Sequence, residues 1–249
     1  MTPLRAPSPL RRGRPVRPDD PIWLFDLDNT LHDASHAIFG MIDQRMGAAV
    51  AQALDLPDDQ ADALRRRYWK RYGATAIGMA RHHHVNLRQF LASCHDFDVA
   101  PLVRAETGLK ARLRNLPGTR IVLTNAPAHY ARRVLKALGV LQEFDGLWAI
   151  DHMMPMGLPR PKPSLGLMRQ IVARLGAPAH RIILVEDTLR NLKSARQAGL
   201  GTAYLYHPGT PFARQQHGRD LYVDVRVNRL STLLLQAHAG RIPGSRDHA

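Results

Sequence analysis

The chain has 249 residues, of which 45% are hydrophobic, enough to bury a sizeable core, and its single cysteine, Cys94, excludes an intrachain disulfide. It carries a formal charge of +14, which attracts anions of any size and so does not separate small phosphorylated molecules from nucleic acid. No helix-turn-helix, zinc-finger or RNA-binding pattern is present, and no apolar run is long enough for a membrane span.

Residues 1–20 read as a disordered basic tail. Arg5, Arg11, Arg12, Arg14 and Arg17 are followed by Pro18, Asp19, Asp20 and Pro21, where a signal peptide needs its apolar segment. Together with the lone thiol this points to a cytoplasmic protein. Ile22 to Phe25 is then a continuous apolar run, the pattern of a strand covered on both faces, and it ends in Asp26 and Asp28. From Ala37 the period changes: Ile38, Met41, Ile42, Met46, Ala49, Val50 and Leu54 form one helical stripe. Pro57 with Asp58 and Asp59 marks a new start, and helices are expected over 58–72, 75–84, 87–95 and 98–115. Residues 37–115 thus form a helical insertion.

Strand signal returns after Pro117 and Gly118. Arg120 to Thr124 is one strand, followed by a helix over 128–138 that Gly139 stops. Further strands are expected at 146–150, 181–185, 202–206 and 222–227, with helices over 164–175 and 191–198 between them. Alternating strands and helices predict an α/β fold, a doubly wound parallel sheet. The domains expected are a core of residues 21–36 plus 116–235, a helical domain of 37–115, and a loose end from 236 to 249.

Ligands of such sheets bind beyond the carboxyl ends of the strands. Gathered there are Asp26 and Asp28, Thr124 and Asn125, Lys162 in a loop, and Glu186, Asp187 and Asn191. Hard carboxylate oxygens suit magnesium, with Asp26 and Asp187 as side-chain ligands and the Asp28 carbonyl a third. Asp26 is placed to act as a nucleophile toward a phosphoryl group, with the Lys162 ammonium offsetting the repulsion. The Thr124 hydroxyl and the Asn125 backbone N–H are positioned for phosphoryl oxygens. Asp28 is the proton carrier, expected to be held protonated at the start by neighbouring negative charge. Taken singly, each piece also reads as an ordinary turn, cap or solvated side chain.

Asp26-Leu-Asp-Asn-Thr30, Thr124-Asn125, Lys162-Pro163 and Glu186-Asp187-Thr188 with Asn191 resemble, in order, the four motifs of the haloacid dehalogenase superfamily. The resemblance implies a Rossmann-like core, magnesium, an aspartyl-phosphate at Asp26, acid/base work by Asp28, and a helical cap of the subfamily I kind in the insertion. Thr30, Glu186 and Asn191 would surround the site, Asn191 standing where many members carry a second Asp. Dehalogenation is disfavoured because it has no use for Asp28. Tyr72-Gly-Ala-Thr75, Arg81-His-His-His-Val85, Cys94-His-Asp-Phe97 and Thr124-Asn-Ala-Pro127 with Tyr130 are similar to bacterial pyrimidine 5'-nucleotidases. That implies a nucleoside monophosphate substrate, with phosphoglycolate, a sugar phosphate, or non-catalytic RNA binding as alternatives.

His82, His83 and His84 do not form a metal site, because consecutive helical residues point about 100° apart. His83 and Tyr72 are the expected substrate contacts from the insertion. Cys94 and Phe97 read as core.

Overall fold

In a computed structural model of the chain, residues 4–10, 17, 19–153, 160–207, 220–240 and 242 are described. In chain order the elements are β1 (Ser8–Pro9), β2 (Ile22–Phe25), α1 (Ile38–Leu54), α2 (Asp58–Tyr72), α3 (Thr75–His83), α4 (Leu87–Cys94) and α5 (Leu109–Asn115). They continue with β3 (Thr119–Leu123), α6 (Ala128–Ala137), β4 (Gly146–Trp148), α7 (Leu165–Leu175), β5 (Ile182–Glu186), α8 (Leu189–Gln197), β6 (Gly201–Leu205), β7 (Val225–Val227) and α9 (Leu230–His238). Among the described residues the sheet has the order β1-β4-β3-β2-β5-β6-β7, and all its pairings are parallel except β1 with β4.

β2 lies at the centre, and its register decides where the chemistry goes. Phe25 is opposite both Val122 and Val185, so Asp26, Thr124 and Glu186 emerge at one edge of the sheet. Trp23 and Phe25 pack on one face with Val122 and Val185, whereas Leu24 packs on the other with Ile121, Leu123 and Leu184. This two-sided burial explains the continuous apolar run. Each such large side chain, removed from water, stabilises the fold by about 1.5–3 kcal/mol. The helices between β2 and β3 bury a cluster of their own, including Val50, Tyr68, Met79, Phe90, Leu91 and Cys94. The return from this insertion is tight. Gly118 has φ +88°, and a Cβ there would lie 2.0 Å from the Pro21 carbonyl oxygen.

Four expectations need correction. Residues 4–10 are not a loose tail: β1 pairs antiparallel with β4, Leu4 and Leu10 are buried, and Trp148 Nε1 donates to the Arg5 carbonyl at 2.9 Å. Pro9 is compatible because β1 is an edge strand. Residues 11–16, also assigned to the tail, lie outside the described residues. The helix expected over 98–115 is confined to Leu109–Asn115, since Gly108, at φ +77°, precedes it as a left-handed cap. The strands expected at 146–150 and 222–227 are shorter, each flanked by a 3-10 turn. The loose end beginning at 236 is partly ordered, because α9 runs to His238 and Ile242 is buried. Its residues 241 and 243–249 are outside the described set.

Candidate active site

Strand pairing continues one residue past β2: the Asp26 N–H donates to the Val185 carbonyl at 3.0 Å, fixing the carboxylate at the sheet edge. Glu186 ends β5 beside it and Asp187 follows. Oxygens of Asp26, Glu186 and Asp187 all lie within 4.8 Å of one another. Lys162 enters this cluster from the loop before α7, with only 2% of its surface exposed. Its ammonium donates to Asp26 Oδ1 at 2.6 Å and to Glu186 Oε2 at 2.7 Å. A lysine this deeply buried is tolerated because both partners carry negative charge.

The surrounding polar groups hold these three in place. Asn125 Nδ2 donates to the Lys162 carbonyl at 2.9 Å and Asn125 Oδ1 accepts from the Lys162 N–H at 3.0 Å, so the Asn125 side chain clamps the lysine loop. The sequence had pointed only to its backbone N–H. Asn191 Nδ2 donates to Glu186 Oε2 at 2.9 Å and the Thr188 N–H donates to Oε1 at 3.2 Å. Both Glu186 oxygens are therefore engaged by protein donors. Asp187 Oδ1 accepts from the Thr188 hydroxyl at 3.2 Å. Thr124 Oγ1 accepts from the Ala126 N–H at 3.0 Å at the mouth of the turn into α6. Thr30 is buried, and its Oγ1 has no hydrogen-bond partner among the described residues.

Charge is concentrated here beyond what one ammonium neutralises. Burial first, then the charge of Glu186, raises Asp26 to about 7 against the opposing pull of Lys162. Burial raises Glu186 to about 7, with Lys162 opposing and Asp187 adding to the rise. Burial and Asp26 together raise Asp187 to about 6. Burial alone would lower Lys162, but Asp26 and Glu186 outweigh it and raise the ammonium well above its ordinary value. Three carboxyls pushed upward by desolvation and mutual repulsion form a donor set that a hard divalent cation would relieve. By donor type and placement the residues therefore fit magnesium.

Asp28 stands apart from the trio. Its Oδ1 accepts from the Tyr130 hydroxyl at 2.7 Å and lies 2.9 Å from His32 Nε2. Burial pushes its carboxyl up, but the hydrogen bond and charge of His32, together with Tyr130, outweigh that and leave it below its ordinary value. This corrects the expectation that neighbouring negative charge keeps Asp28 protonated, because its immediate neighbours are donors. His32 was not picked out from the sequence, and Tyr130 and His95, which stacks edge-on against Tyr130 at 5.1 Å, entered only as parts of the nucleotidase-like stretches, with no link to Asp28. The only local signal was His32 four residues after Asp28, and Tyr130 is 102 residues away.

The insertion approaches the site through the end of α2. Gly73 caps that helix at φ +79°, and a Cβ on it would be 3.6 Å from the Lys162 carbonyl oxygen. This brings the end of α2 to the Lys162 loop, while the Tyr72 side chain packs within the insertion, its hydroxyl 2.6 Å from His82 Nε2 and Arg71 and Arg81 over its ring. His83 also packs within the insertion. Its Nε2 lies 2.8 Å from the Tyr68 hydroxyl and it lines a groove with Leu54, Leu56 and Arg67, so it is not gathered with the carboxylates. Cys94 is fully buried and its thiol is pushed up to about 11 by burial, as suits an inert core residue. Phe97 is buried as well.

A model of haloacid dehalogenase-like hydrolases matches residues 22–199. The chain is 24% identical over 203 residues to phosphate metabolism protein 8 of Saccharomyces cerevisiae, covering 75% of this chain and 63% of the yeast protein's length. It is 26% identical over 229 residues to N-acetylmuramic acid 6-phosphate phosphatase of Pseudomonas aeruginosa, covering 81% and 89% of the two chains. Among solved structures, CbbY from Rhodobacter sphaeroides in complex with phosphate matches with a TM-score of 0.61 at 18% identity, covering 86% of this chain and 96% of that one. At that identity the likeness speaks for the fold alone.

Proposed function

The chain belongs to the haloacid dehalogenase-like hydrolase family, and on that premise we propose that it is a magnesium-dependent phosphomonoesterase acting through an aspartyl-phosphate at Asp26 on pyrimidine nucleoside 5'-monophosphates. The observation that carries the chemistry is the contrast between two carboxyls at the end of one strand. Asp26 is tied to a buried ammonium 2.6 Å away, and Asp28 is tied to two donors of its own. Two neighbouring acids in different surroundings can take different roles.

In this reading Asp26 attacks phosphorus, and Lys162 offsets the approach of two anions. Magnesium would be held by Asp26, Asp187 and the Asp28 carbonyl and would neutralise charge on the phosphoryl oxygens. Glu186 keeps Lys162 in place and is itself kept in place by Asn191. Thr124 and the Asn125 backbone N–H bind the phosphoryl oxygens. Asp28 is ionised in the free protein. The dianionic ester entering beside it disfavours that form, so the carboxyl carries the proton that the alkoxide leaving group needs. It then takes a proton from the water that hydrolyses the acyl-phosphate.

The nucleotide assignment rests on the insertion, residues 37–115, acting as a cap hinged near 32–37 and 115–118. Its resemblance to pyrimidine 5'-nucleotidases and the approach of Gly73, at the end of α2, to the Lys162 loop support it. A second reading, a sugar phosphate, is favoured by the Pseudomonas relative and its coverage of both chains. Steady-state phosphate release from UMP, CMP, TMP, AMP, GMP, phosphoglycolate and N-acetylmuramic acid 6-phosphate, each with magnesium, separates the two. Preference for UMP, CMP or TMP supports the nucleotidase, whereas turnover confined to the sugar phosphate or to phosphoglycolate overturns it.

A further inference from the structure

Asp28 is held more firmly than its surroundings require. Tyr130 and His32 are both buried, and both address the same carboxyl oxygen, Oδ1. One comes from α6, the other from the linker into the insertion. The terminal torsion of an aspartate is soft, with a broad energy well, so one donor would leave the carboxyl free to rock and two converging donors fix it. His32 occupies this place at a cost. Its Nδ1 is buried with no hydrogen-bond partner among the described residues, and buried polar atoms are normally satisfied. Packing alone gives no reason to keep such an atom there.

The Tyr130 ring is itself braced. His95 lies edge-on to it at 5.1 Å and is anchored by its Nδ1–H donating to the Leu91 carbonyl at 2.8 Å. The Tyr130 hydroxyl is the donor in the bond to Asp28 Oδ1. His95 follows α4, so the brace ties the helical insertion to the carboxyl.

We propose that Tyr130 and His32 are positioning residues that lock the Asp28 carboxyl in one orientation, with Oδ1 occupied and Oδ2 presented to the ester oxygen of the substrate. The inference rests on the acid/base role of Asp28 proposed above. As the bond from Asp26 to phosphorus forms and the ester P–O bond breaks, the proton on Asp28 passes to the departing alkoxide. In the second step water attacks phosphorus, its proton goes to Asp28, and the bond from phosphorus to Asp26 breaks, releasing inorganic phosphate. Both transfers need the same oxygen in the same place.

The test compares two leaving groups. An alkyl phosphate needs the proton as its bond breaks, whereas p-nitrophenyl phosphate departs as a stabilised phenolate and does not. For Tyr130→Phe and His32→Leu, kcat/KM is measured on p-nitrophenyl phosphate and on the fastest alkyl ester of the panel above. The ratio within one preparation is independent of how much of the variant is folded. The expected result is a loss of about tenfold or more on the alkyl ester and less than about threefold on the aryl ester, within the range of general acid catalysis. Asp28→Asn should show the same pattern more strongly. Equal losses on both esters in Tyr130→Phe and His32→Leu, with Asp28→Asn still discriminating, would overturn the positioning role and leave Asp28 its own. If Asp28→Asn also fails to discriminate, the acid/base reading falls and this inference with it.

Discussion

Replacing Lys162 by Met removes the one ammonium that bonds both Asp26 and Glu186 and leaves two buried carboxyls side by side. Their oxygens lie within 4.8 Å. At an effective dielectric of about 20, the exposed repulsion between two full charges at that distance is about 3.5 kcal/mol. Breaking a buried ion pair from one side costs about 3–5 kcal/mol, in agreement with that figure. The pH dependence follows from the same groups. Asp26 and Glu186 stand at about 7 in the folded chain against 3.8 and 4.5 as ordinary carboxyls. Between those limits the folded state binds more protons than the unfolded state, so these groups withdraw stability as pH rises from about 4 to about 7. Loss of Lys162 raises both further. Urea unfolding in the presence of a chelator should therefore show Lys162→Met less stable than the parent by about 3–5 kcal/mol near pH 8, with at least about half of the deficit gone near pH 5. An unchanged stability near pH 8, or a deficit equal at both pH values, would refute the reasoning.

Three other outcomes follow from the site and its supports. Asn191→Ala removes a donor to Glu186 Oε2, and the magnesium concentration for half-maximal activity should rise by about 10–100-fold while saturated activity changes less. Chelation should abolish phosphate release from the parent protein, and added magnesium should restore it, as read by a phosphate assay in both directions. Gly118→Ala places a Cβ 2.0 Å from the Pro21 carbonyl at a backbone angle that only glycine adopts easily. A loss of more than about 1 kcal/mol in urea unfolding is expected.

The centre of the sheet was legible because β2 and β5 are buried on both faces, read as unbroken apolar runs and end in acidic residues. Asp26, Glu186 and Asp187 are placed together by the sequence because neighbouring strand ends of a parallel sheet lie side by side, whereas Lys162 reaches them from a loop. β1 was hidden because two residues, Ser8 and Pro9, carry no periodicity, and arginines around them resemble a loose tail. The stretch 98–115 looked helical by its apolar spacing, but Gly108 sets where the helix begins. The surroundings of Asp28 were not legible for a different reason: Tyr130 comes from another helix and His95 from the insertion, and the resemblance that included both gave neither a role beside Asp28. That omission also produced the mistaken expectation about the Asp28 proton.

An Asp26 carboxylate that takes the phosphoryl group should be trapped carrying it during turnover. The most direct measurement is mass analysis of peptides from enzyme quenched in acid during turnover of the best ester in the panel. A hydroxylamine-labile phosphoryl group is expected on the peptide containing Asp26, with neither adduct nor phosphate release in folded Asp26→Asn. Sustained phosphate release by that variant would contradict it.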